Sequence, residues 1–87
     1  MTNNKPRNLI GKNLKNIRKT YQITQDELSA KLITSGTNID RPMISKIENQ
    51  TREVTDIELL AISNALKVSI TDLLNNKENA GEEDEDR

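Results

Sequence analysis

The sequence has no cysteine and no histidine. It therefore cannot form disulfide bonds, and it lacks the residues for thiolate zinc sites, serine–histidine triads and imidazole acid–base catalysis. Tyr21 is its one aromatic residue, which argues against a β-sandwich or barrel, because such folds depend on aromatic and β-branched strands. Neither a run of about 20 apolar residues nor a basic-then-apolar leader is present. We therefore expect a cytoplasmic protein that does not associate with membranes.

Glycine is also scarce. The three glycines, Gly11, Gly36 and Gly81, are too far apart to form a phosphate-binding loop. A chain of 87 residues has room for one small domain, and no arrangement of its side chains points to catalysis. We expect a protein that is not an enzyme and that needs no cofactor, no metal ion and no small-molecule ligand.

The net charge of −1 conceals an uneven distribution of charged residues. Residues 1–19 carry six basic and no acidic side chains, whereas residues 20–76 have a net charge of −3 and residues 77–87 a net charge of −4. A basic amino-terminal segment is where an anionic partner is expected first. We predict three regions: a basic flexible arm over residues 1–8, a folded domain over 9–76 and a disordered acidic tail over 77–87. The tail is either a solvated end or a competitor of nucleic acid for the basic arm.

A pattern typical of helix starts occurs three times, over residues 23–28, 54–59 and 68–73. Each stretch reads apolar residue, Ser or Thr, two further residues, acid, apolar residue. In such a capping box the hydroxyl accepts a hydrogen bond from the backbone of the acid, and the acid accepts one from the backbone of the capping residue. A fourth start, at Asp40, is partial because Met43 stands where the acid would be, while Pro42 fits the first turn of a helix.

Apolar residues at helical spacing predict one more helix upstream, through Ile10, Leu14, Ile17 and Tyr21. The five predicted helices span residues 10–20, 25–33, 41–49, 56–66 and 70–75. None is long enough to be stable alone, so their apolar faces must pack on one another. The expected fold class is all-α, a compact five-helix bundle.

Three motifs occur together in these helices. They are Thr24-Gln25-x-Glu27-Leu28 in the second helix, Ile44-Ser45-Lys46-Ile47-Glu48 in the third, and Leu59-Leu60-Ala61-Ile62 continuing into Ala65-Leu66-x-Val68 and Leu73-Leu74. In combination they resemble the lambda-repressor-like (Xre-type) helix-turn-helix family, over about residues 9–75. The resemblance implies that helices 2 and 3 form a helix-turn-helix and that the third helix lies in the major groove of double-stranded DNA.

Two positions depart from the family pattern. Seven residues separate Leu32 from Asp40, about five more than the usual tight turn, and Gly36 is placed to end a lengthened second helix. The angle between helices 2 and 3 is therefore not determined by the resemblance. The family usually has glycine directly after the third helix, where this sequence has Gln50. The turn remains feasible without this glycine, because Asn49 can adopt the left-handed backbone conformation.

The resemblance implies four base-contacting residues in the third helix, Arg41, Pro42, Ser45 and Lys46. Arg41 has the geometry for two hydrogen bonds to guanine O6 and N7. Lys46 can reach the same atoms or a phosphate, and Pro42 can contact a thymine methyl group. The alternative is that Arg41 and Lys46 are solvated charges on an exposed helix face.

Contacts with the DNA backbone are implied at two places. Gln25 opens the second helix, where the family binds a phosphate. The alternative is that Gln25 is only a favourable first residue of the helix. The loop after the third helix, which follows the sugar–phosphate backbone in the family, contains Asn49, Thr51 and Arg52. Lys5 and Lys12 either add diffuse attraction to DNA or merely solubilise the chain.

A structural ion pair is also implied by the resemblance. Arg18 in the first helix and Glu48 in the third match a family pair that holds the recognition helix against the bundle. Such a pair contributes orientation more than net stability. The alternative is that both residues are ordinary surface charges.

The function expected from the resemblance is sequence-specific binding of double-stranded DNA by a transcriptional regulator of bacterial or phage type, acting as a repressor. Members usually present two recognition helices as a two-fold dimer, so we expect a homodimer that forms through helix 5 with Ile70, Leu73 and Leu74. The alternative for these three residues is that they only close the core. The alternative is a protein-interaction module, such as an antitoxin-like helical bundle that binds a partner protein. The polar and cationic character of Arg41 and Lys46 favours nucleic acid.

Overall fold

The structure is a computed structural model that describes residues 5–75. This part of the chain has no strands and forms five helices: α1 (Gly11–Thr20), α2 (Gln25–Thr34), α3 (Arg41–Glu48), α4 (Asp56–Leu66) and α5 (Ile70–Leu74). The predicted all-α, five-helix fold is confirmed, and the predicted helix bounds differ from the observed ones by at most one residue. The predicted acidic tail, residues 77–87, lies outside the described residues, as do the first four residues of the predicted arm.

Local capping explains where four of the helices begin. In α2, α4 and α5 the predicted capping box is complete, with pairs Thr24–Glu27, Thr55–Glu58 and Ser69–Asp72. Asp40 caps α3, because its carboxylate accepts a hydrogen bond from the backbone N–H of Met43 at 3.0 Å. These contacts satisfy N–H groups that the first turn of a helix leaves without partners.

Each of the helices α1 to α4 is followed, within two residues of its end, by one residue at positive φ. These residues are Gln22 at 59°, Gly36 at 99°, Gln50 at 63° and Lys67 at 59°. Each donates its backbone N–H to the carbonyl three residues back, and the next residue donates to the carbonyl five residues back, as in a Schellman motif. Asn49 does not adopt the left-handed conformation, since its φ is −85°, and Gln50 adopts it instead. The N–H of Asn49 still donates to Ser45 at 2.9 Å, so the helix turns one residue later.

In the described part of the chain, the core consists of ten buried apolar side chains contributed by the helices and their connections. They are Ile10, Leu14, Leu28, Leu32, Ile39, Ile44, Ile47, Ile62, Leu66 and Leu73. Helix α2 packs against α3 and α4, α1 packs against α3 and α5, and α4 packs against α5. At Gly11 the backbones of α1 and α3 come so close that a Cβ atom would lie 2.3 Å from the carbonyl oxygen of Ile47. Only glycine permits this approach.

The lengthened connection between α2 and α3 is held to the core. Helix α2 extends to Thr34, and Gly36 lies just beyond it at positive φ, in the helix-ending position that the sequence predicts. Ile39 near the end of the connection is 1% exposed, and the hydroxyl of Ser29 donates a hydrogen bond to its carbonyl oxygen at 2.9 Å. These two contacts determine where α3 begins relative to α2.

Helix α5 closes the core, and this reduces the predicted dimer surface. Leu73 is fully buried, because α5 packs on both α1 and α4, so it is not available to a second chain. Leu74 is 44% exposed and Ile70 is half-buried. The side chain of Asn13 in α1 donates to the carbonyl oxygens of Leu73 and Asn75, which holds the end of α5 beside α1.

In residues 5–75 no helix combines the length and the apolar character needed to cross a membrane.

Candidate nucleic-acid interface

Helix α3 divides into a buried face and an exposed face. Ile44, Ile47 and Glu48 are buried against the bundle. Residues three and four apart share a helix face, and the opposite face carries the four residues predicted to contact bases. Arg41, Pro42 and Lys46 are exposed, and Ser45 is half-buried. The structure thus brings all four onto one surface.

Gln25 lies at the first position of α2 and is half-buried. Its Nε2 donates a hydrogen bond to Oε1 of Glu48 at 3.0 Å. A side-chain amide nitrogen has two hydrogens, so one remains for a phosphate oxygen. The backbone N–H of Gln25 belongs to the first turn, whose N–H groups have no partner within the helix. The residue predicted to bind a phosphate is therefore held in place by the helix predicted to read bases.

The loop after α3 meets the basic amino-terminal segment. Asn49 and Thr51 are exposed, and the Thr51 hydroxyl donates to the carbonyl oxygen of Lys46 at 3.2 Å. Both line a shallow cleft together with Lys5 and Lys12. Neither lysine has an acidic partner within residues 5–75. The positive charge of the amino-terminal segment therefore lies next to the loop predicted to follow the DNA backbone.

Arg52, the fourth predicted backbone contact, is engaged within the protein. Its two terminal nitrogens donate to the two carboxylate oxygens of Glu58, both at 3.0 Å. The hydrogen bond from Arg52 lowers the pKa of Glu58 below its ordinary value of 4.5, and the same bond raises the pKa of Arg52. The positive charge of Arg52 is therefore compensated, unlike the charges of Lys5 and Lys12.

The predicted ion pair lies inside the bundle. Nε and Nη2 of Arg18 donate to the two carboxylate oxygens of Glu48 at 2.7 and 3.0 Å, and these side chains are 10% and 2% exposed. Arg18 also donates to the carbonyl oxygen of Ile23 at 2.9 Å. With the bond from Gln25, one carboxylate joins α1, α2 and α3. Within residues 5–75 no buried side-chain nitrogen or oxygen lacks a partner.

Asn8, the last residue of the predicted flexible arm, is bound to the start of α1 and to the end of α3. The side-chain oxygen of Asn8 accepts from the N–H groups of Ile10 and Gly11 at 3.1 and 2.8 Å. Its nitrogen donates to the carbonyl oxygens of Ile47 and Arg52 at 3.0 and 2.8 Å. Asn8 therefore holds the backbone at the start of α1 and joins it to the end of α3. The signal in the sequence was weak, an asparagine two residues before the start of an amphipathic run.

Arg41 has an acidic neighbour that the sequence pattern did not reveal. Nη1 of Arg41 lies 3.4 Å from Oδ2 of Asp26 in α2, and the two side chains are 62% and 70% exposed. The residues are 15 positions apart, so only the packing of α2 against α3 brings them together.

Among residues 5–75 no group of three or more acidic side chains is arranged to hold a metal ion.

Comparison with known proteins gives a match to a family model described as "Helix-turn-helix" over residues 14–73. The restriction-modification controller protein C.AhdI from Aeromonas hydrophila has a similar structure, with a TM-score of 0.65 and 23% identity over 74% of this chain and 86% of that chain. The hypothetical transcription factor NHTF from Neisseria has a TM-score of 0.70 and 22% identity over 88% of this chain and 84% of that chain. No curated protein sequence gives a significant match. At these identities the structural similarity shows the fold, and the family model covers most of the chain.

Proposed function

The chain belongs to the lambda-repressor-like (Xre-type) helix-turn-helix family of DNA-binding regulators, and on this basis we propose that it is a sequence-specific transcriptional repressor of bacterial or phage type. The exposed face of α3 is the observation that carries the proposal. Arg41, Pro42, Ser45 and Lys46 lie together on it, while the opposite face is buried and joined through Glu48 to α1 and α2. Regulation of bacterial or phage DNA implies a cytoplasmic protein that acts by binding alone, without catalysis.

In the proposed complex, α3 lies in the major groove with its first turn toward the base edges. Arg41 donates two hydrogen bonds to a guanine, Lys46 contacts a guanine or a phosphate, and Pro42 contacts a thymine methyl group. Gln25 binds a phosphate through its remaining amide hydrogen and its backbone N–H. Asn49 and Thr51 follow the backbone beyond α3, where Lys5 and Lys12 add electrostatic attraction. Arg52 contributes by ordering the loop through Glu58.

The test begins with selection of bound duplexes from a random DNA pool, followed by salt titration of binding to the selected duplex and to a random duplex. Arg41→Ala and Lys46→Ala should weaken binding to the selected duplex by roughly 1–3 kcal/mol and binding to the random duplex much less, because base contacts carry the sequence preference. Gln25→Ala should weaken both about equally, because phosphate contacts do not read sequence.

Lys31→Ala is the matched control, since Lys31 is exposed near the other end of α2, in a cleft beside α4. It should leave the preference for the selected duplex unchanged. If the selection enriches no sequence, or if Arg41→Ala and Lys46→Ala weaken binding to both duplexes equally, base reading by α3 is contradicted. Transcription from a promoter that overlaps the selected site should fall when the protein is added, and a rise would contradict repression.

We further propose that the protein binds DNA as a homodimer, because one short helix reads too few base pairs for high specificity. With Leu73 in the core, the exposed part of the predicted α5 surface is reduced to Ile70 and Leu74. Helix α4 offers a competing surface, since Ile57 and Leu60 are 73% and 52% exposed. Sedimentation of Leu74→Glu and of Leu60→Glu distinguishes the two surfaces, because the substitution in the true interface should give a monomer. A wild-type monomer at all concentrations, with and without DNA, would contradict a dimer.

The exposed side chains of Ile57 and Leu60 also favour the second candidate function, an antitoxin-like bundle that binds a partner protein through α4. An exposed apolar patch of this kind marks protein contacts. The two functions are separated by the selection experiment, since only a DNA-binding protein enriches a sequence that depends on Arg41.

A further inference from the structure

The contact between Asp26 and Arg41 has no evident role in the fold. The capping box of α2 uses Thr24 and Glu27, so Asp26 is not needed to cap the helix. Within residues 5–75 the carboxylate of Asp26 has Arg41 as its one side-chain partner, at 3.4 Å. An ion pair between two side chains that are more than half exposed contributes little to stability, because water competes for both charges.

The position of Asp26 is unfavourable for simple attraction to DNA. It lies next to Gln25, the proposed phosphate ligand, and beside the exposed face of α3. A negative charge at this place repels the phosphate backbone of any sequence. The carboxylate therefore lowers binding to all DNA unless a specific contact of the complex makes use of it.

Arg41 provides such a contact, because a guanidinium group has five N–H donors in a planar fork. The bond to Asp26 occupies one hydrogen of Nη1. Four hydrogens remain: two on Nη2, one on Nη1 and one on Nε. Two of them suffice for the O6 and N7 atoms of one guanine. A guanidinium held by a carboxylate also loses less conformational freedom on binding than a free one.

We propose that Asp26 is a positioning residue that determines specificity: its carboxylate orients Arg41 toward one guanine and weakens binding to sequences that lack this guanine. The inference rests on the proposed function and assigns Asp26 a role in it. With guanine in place, Arg41 is shared between the base and Asp26. Without guanine, the carboxylate still faces the DNA and its repulsion is not offset, which increases the difference between right and wrong sequences.

The test uses the full chain, the duplex selected from a random pool, a set of duplexes that replace one base pair each, and a random duplex. The variants are Asp26→Asn, Arg41→Ala and the double variant. Asp56→Asn is the matched control, because Asp56 is an exposed acid in the first turn of α4 and its replacement changes the net charge equally.

Asp26→Asn should bind the random duplex about two- to fivefold more tightly at low salt, because one repulsive charge is removed. The penalty for replacing the guanine read by Arg41 should fall by about fivefold or more, since the guanidinium is no longer oriented. That guanine is identified as the position at which Arg41→Ala loses discrimination. In the double variant, Asp26→Asn should cause no further loss of discrimination at that guanine beyond the loss caused by Arg41→Ala alone, because the two residues act as one unit. Asp56→Asn should leave the discrimination unchanged.

Two outcomes would overturn the inference while the proposed function stands. In the first, Arg41→Ala loses discrimination at one guanine but Asp26→Asn keeps it in full. In the second, Asp26→Asn loses discrimination at a different base pair, which would show that Asp26 itself accepts a hydrogen bond from a base such as cytosine. A wild-type protein without any sequence preference would instead contradict the proposed function. Equal melting temperatures of wild type and Asp26→Asn establish that the comparison concerns binding and not folding.

Discussion

Three helices meet at the carboxylate of Glu48. It accepts hydrogen bonds from Arg18 in α1 and from Gln25 in α2, and it belongs to α3 itself. A buried ion pair adds little stability over an apolar pair of the same volume, but it has strict geometry. The contact therefore acts mainly on the orientation of α3, whose other face carries the proposed base contacts.

We expect Arg18→Met and Glu48→Leu each to lower the free energy of unfolding by about 3–5 kcal/mol, because either change leaves a buried charge without its partner. The double variant should recover part of this loss. Recovery should be incomplete, because the amide of Gln25 and the carbonyl of Ile23 also lose hydrogen bonds. Urea denaturation of the four proteins measures the coupling.

The exposed pair Arg7–Glu53 provides the control for this cycle. Its side chains are 56% and 72% exposed, so Glu53→Gln should leave the urea midpoint nearly unchanged. If the single variants at Arg18 and Glu48 behave like Glu53→Gln, the buried pair has no role in holding α3.

The bond between Arg52 and Glu58 makes stability depend on pH. The pKa of Glu58 is lower in the folded protein than its ordinary value of 4.5, chiefly because of the hydrogen bond from Arg52. A lowered folded pKa contributes stability at pH values above 4.5, and this contribution is lost as the pH falls through the folded pKa. Wild-type stability should therefore decline below about pH 4.5 in part through this group.

Glu58→Gln isolates this contribution, because glutamine still completes the capping box with Thr55. At pH 7 the variant should be less stable by about 1–2 kcal/mol, since a charge-assisted hydrogen bond is lost. The difference between the two proteins should shrink as the pH falls below 4.5, as measured by urea denaturation across pH. A difference that stays constant down to pH 3 would show that the ionised carboxylate is not the source of the stability.

At the scale of the helices, most of the chain reversals use residues other than glycine. Of the four positive-φ positions within residues 5–75, three hold Gln22, Gln50 and Lys67, and the fourth holds a glycine. A side chain in the left-handed conformation costs energy because Cβ crowds the carbonyl oxygen. The hydrogen bonds of the Schellman motif and the packing of the helices outweigh this cost.

We predict that Lys67→Gly stabilises the protein by about 0.5–1 kcal/mol, because glycine removes the crowding at φ 59°. Lys67 is exposed, and Lys67→Ala serves as the control that keeps the crowding. Thermal denaturation should show a rise in Tm for glycine and none for alanine. Equal Tm values for the two variants would contradict the assignment of strain to this position.

Gln50→Gly should stabilise the protein less than Lys67→Gly does, although φ is similar at the two positions. The Nε2 of Gln50 donates to the carbonyl oxygen of Asn8 at 3.0 Å, and glycine loses this bond. Gln50 thus contributes a contact between α1 and the loop after α3 that a glycine does not make.

Helix α3 has eight residues and is too short to be stable alone. Its orientation therefore comes from contacts at both ends. At its start Ile39 is in the core and Ser29 holds the backbone, while at its end Gly11 permits close approach of α1 and Asn8 donates to Ile47 and Arg52. The longer connection before α3 is consequently compatible with a determined helix position.

For the whole molecule, charge is separated along the chain. The first 19 residues have a charge of +6, and residues 77–87 contain six acids and have a charge of −4. The contacts of Asn13 with Leu73 and Asn75 make the described chain end beside α1. Lys12, the neighbour of Asn13, is exposed and lines the cleft at the proposed DNA backbone site.

We predict that a chain ending at Asn76 binds both the selected and the random duplex more tightly than the full chain at low salt. The acidic residues compete with DNA for the basic segment, and their attachment to the same chain raises their effective concentration. The difference should vanish as salt rises past about 0.1 M, where the Debye length falls to about 10 Å. Titration of labelled duplexes with each protein over a salt series measures this difference in affinity.

A full-length chain with Glu82, Glu83, Asp84, Glu85 and Asp86 replaced by the corresponding amides is the matched control. It should behave like the shortened chain, because charge and not length causes the competition. Equal affinity of all three proteins at low salt would show that the tail does not compete.

Much of the fold could be predicted from the sequence because its signals are local. A capping box needs residues three apart, and an amphipathic face needs residues three and four apart, so Thr24, Thr55 and Ser69 mark helix starts in any context. The exposed residues of α3, which carry the proposed base contacts, follow from the same spacing once the family resemblance fixes which helix is concerned. The length of α2 was also readable, because Gly36 is a helix-ending residue at the right distance.

Tertiary structure decided what depends on residues distant in the sequence. Asp26 meets Arg41 across 15 positions, Asn8 meets Ile47 across 39, and Asn13 meets Leu73 across 60. No periodicity encodes such contacts, because they depend on how whole helices pack. The same packing buries Leu73, which its apolar character alone could not distinguish from a surface for a second chain. The sequence by itself therefore determined the helices and the exposed residues of α3, whereas packing determined which side chains orient them.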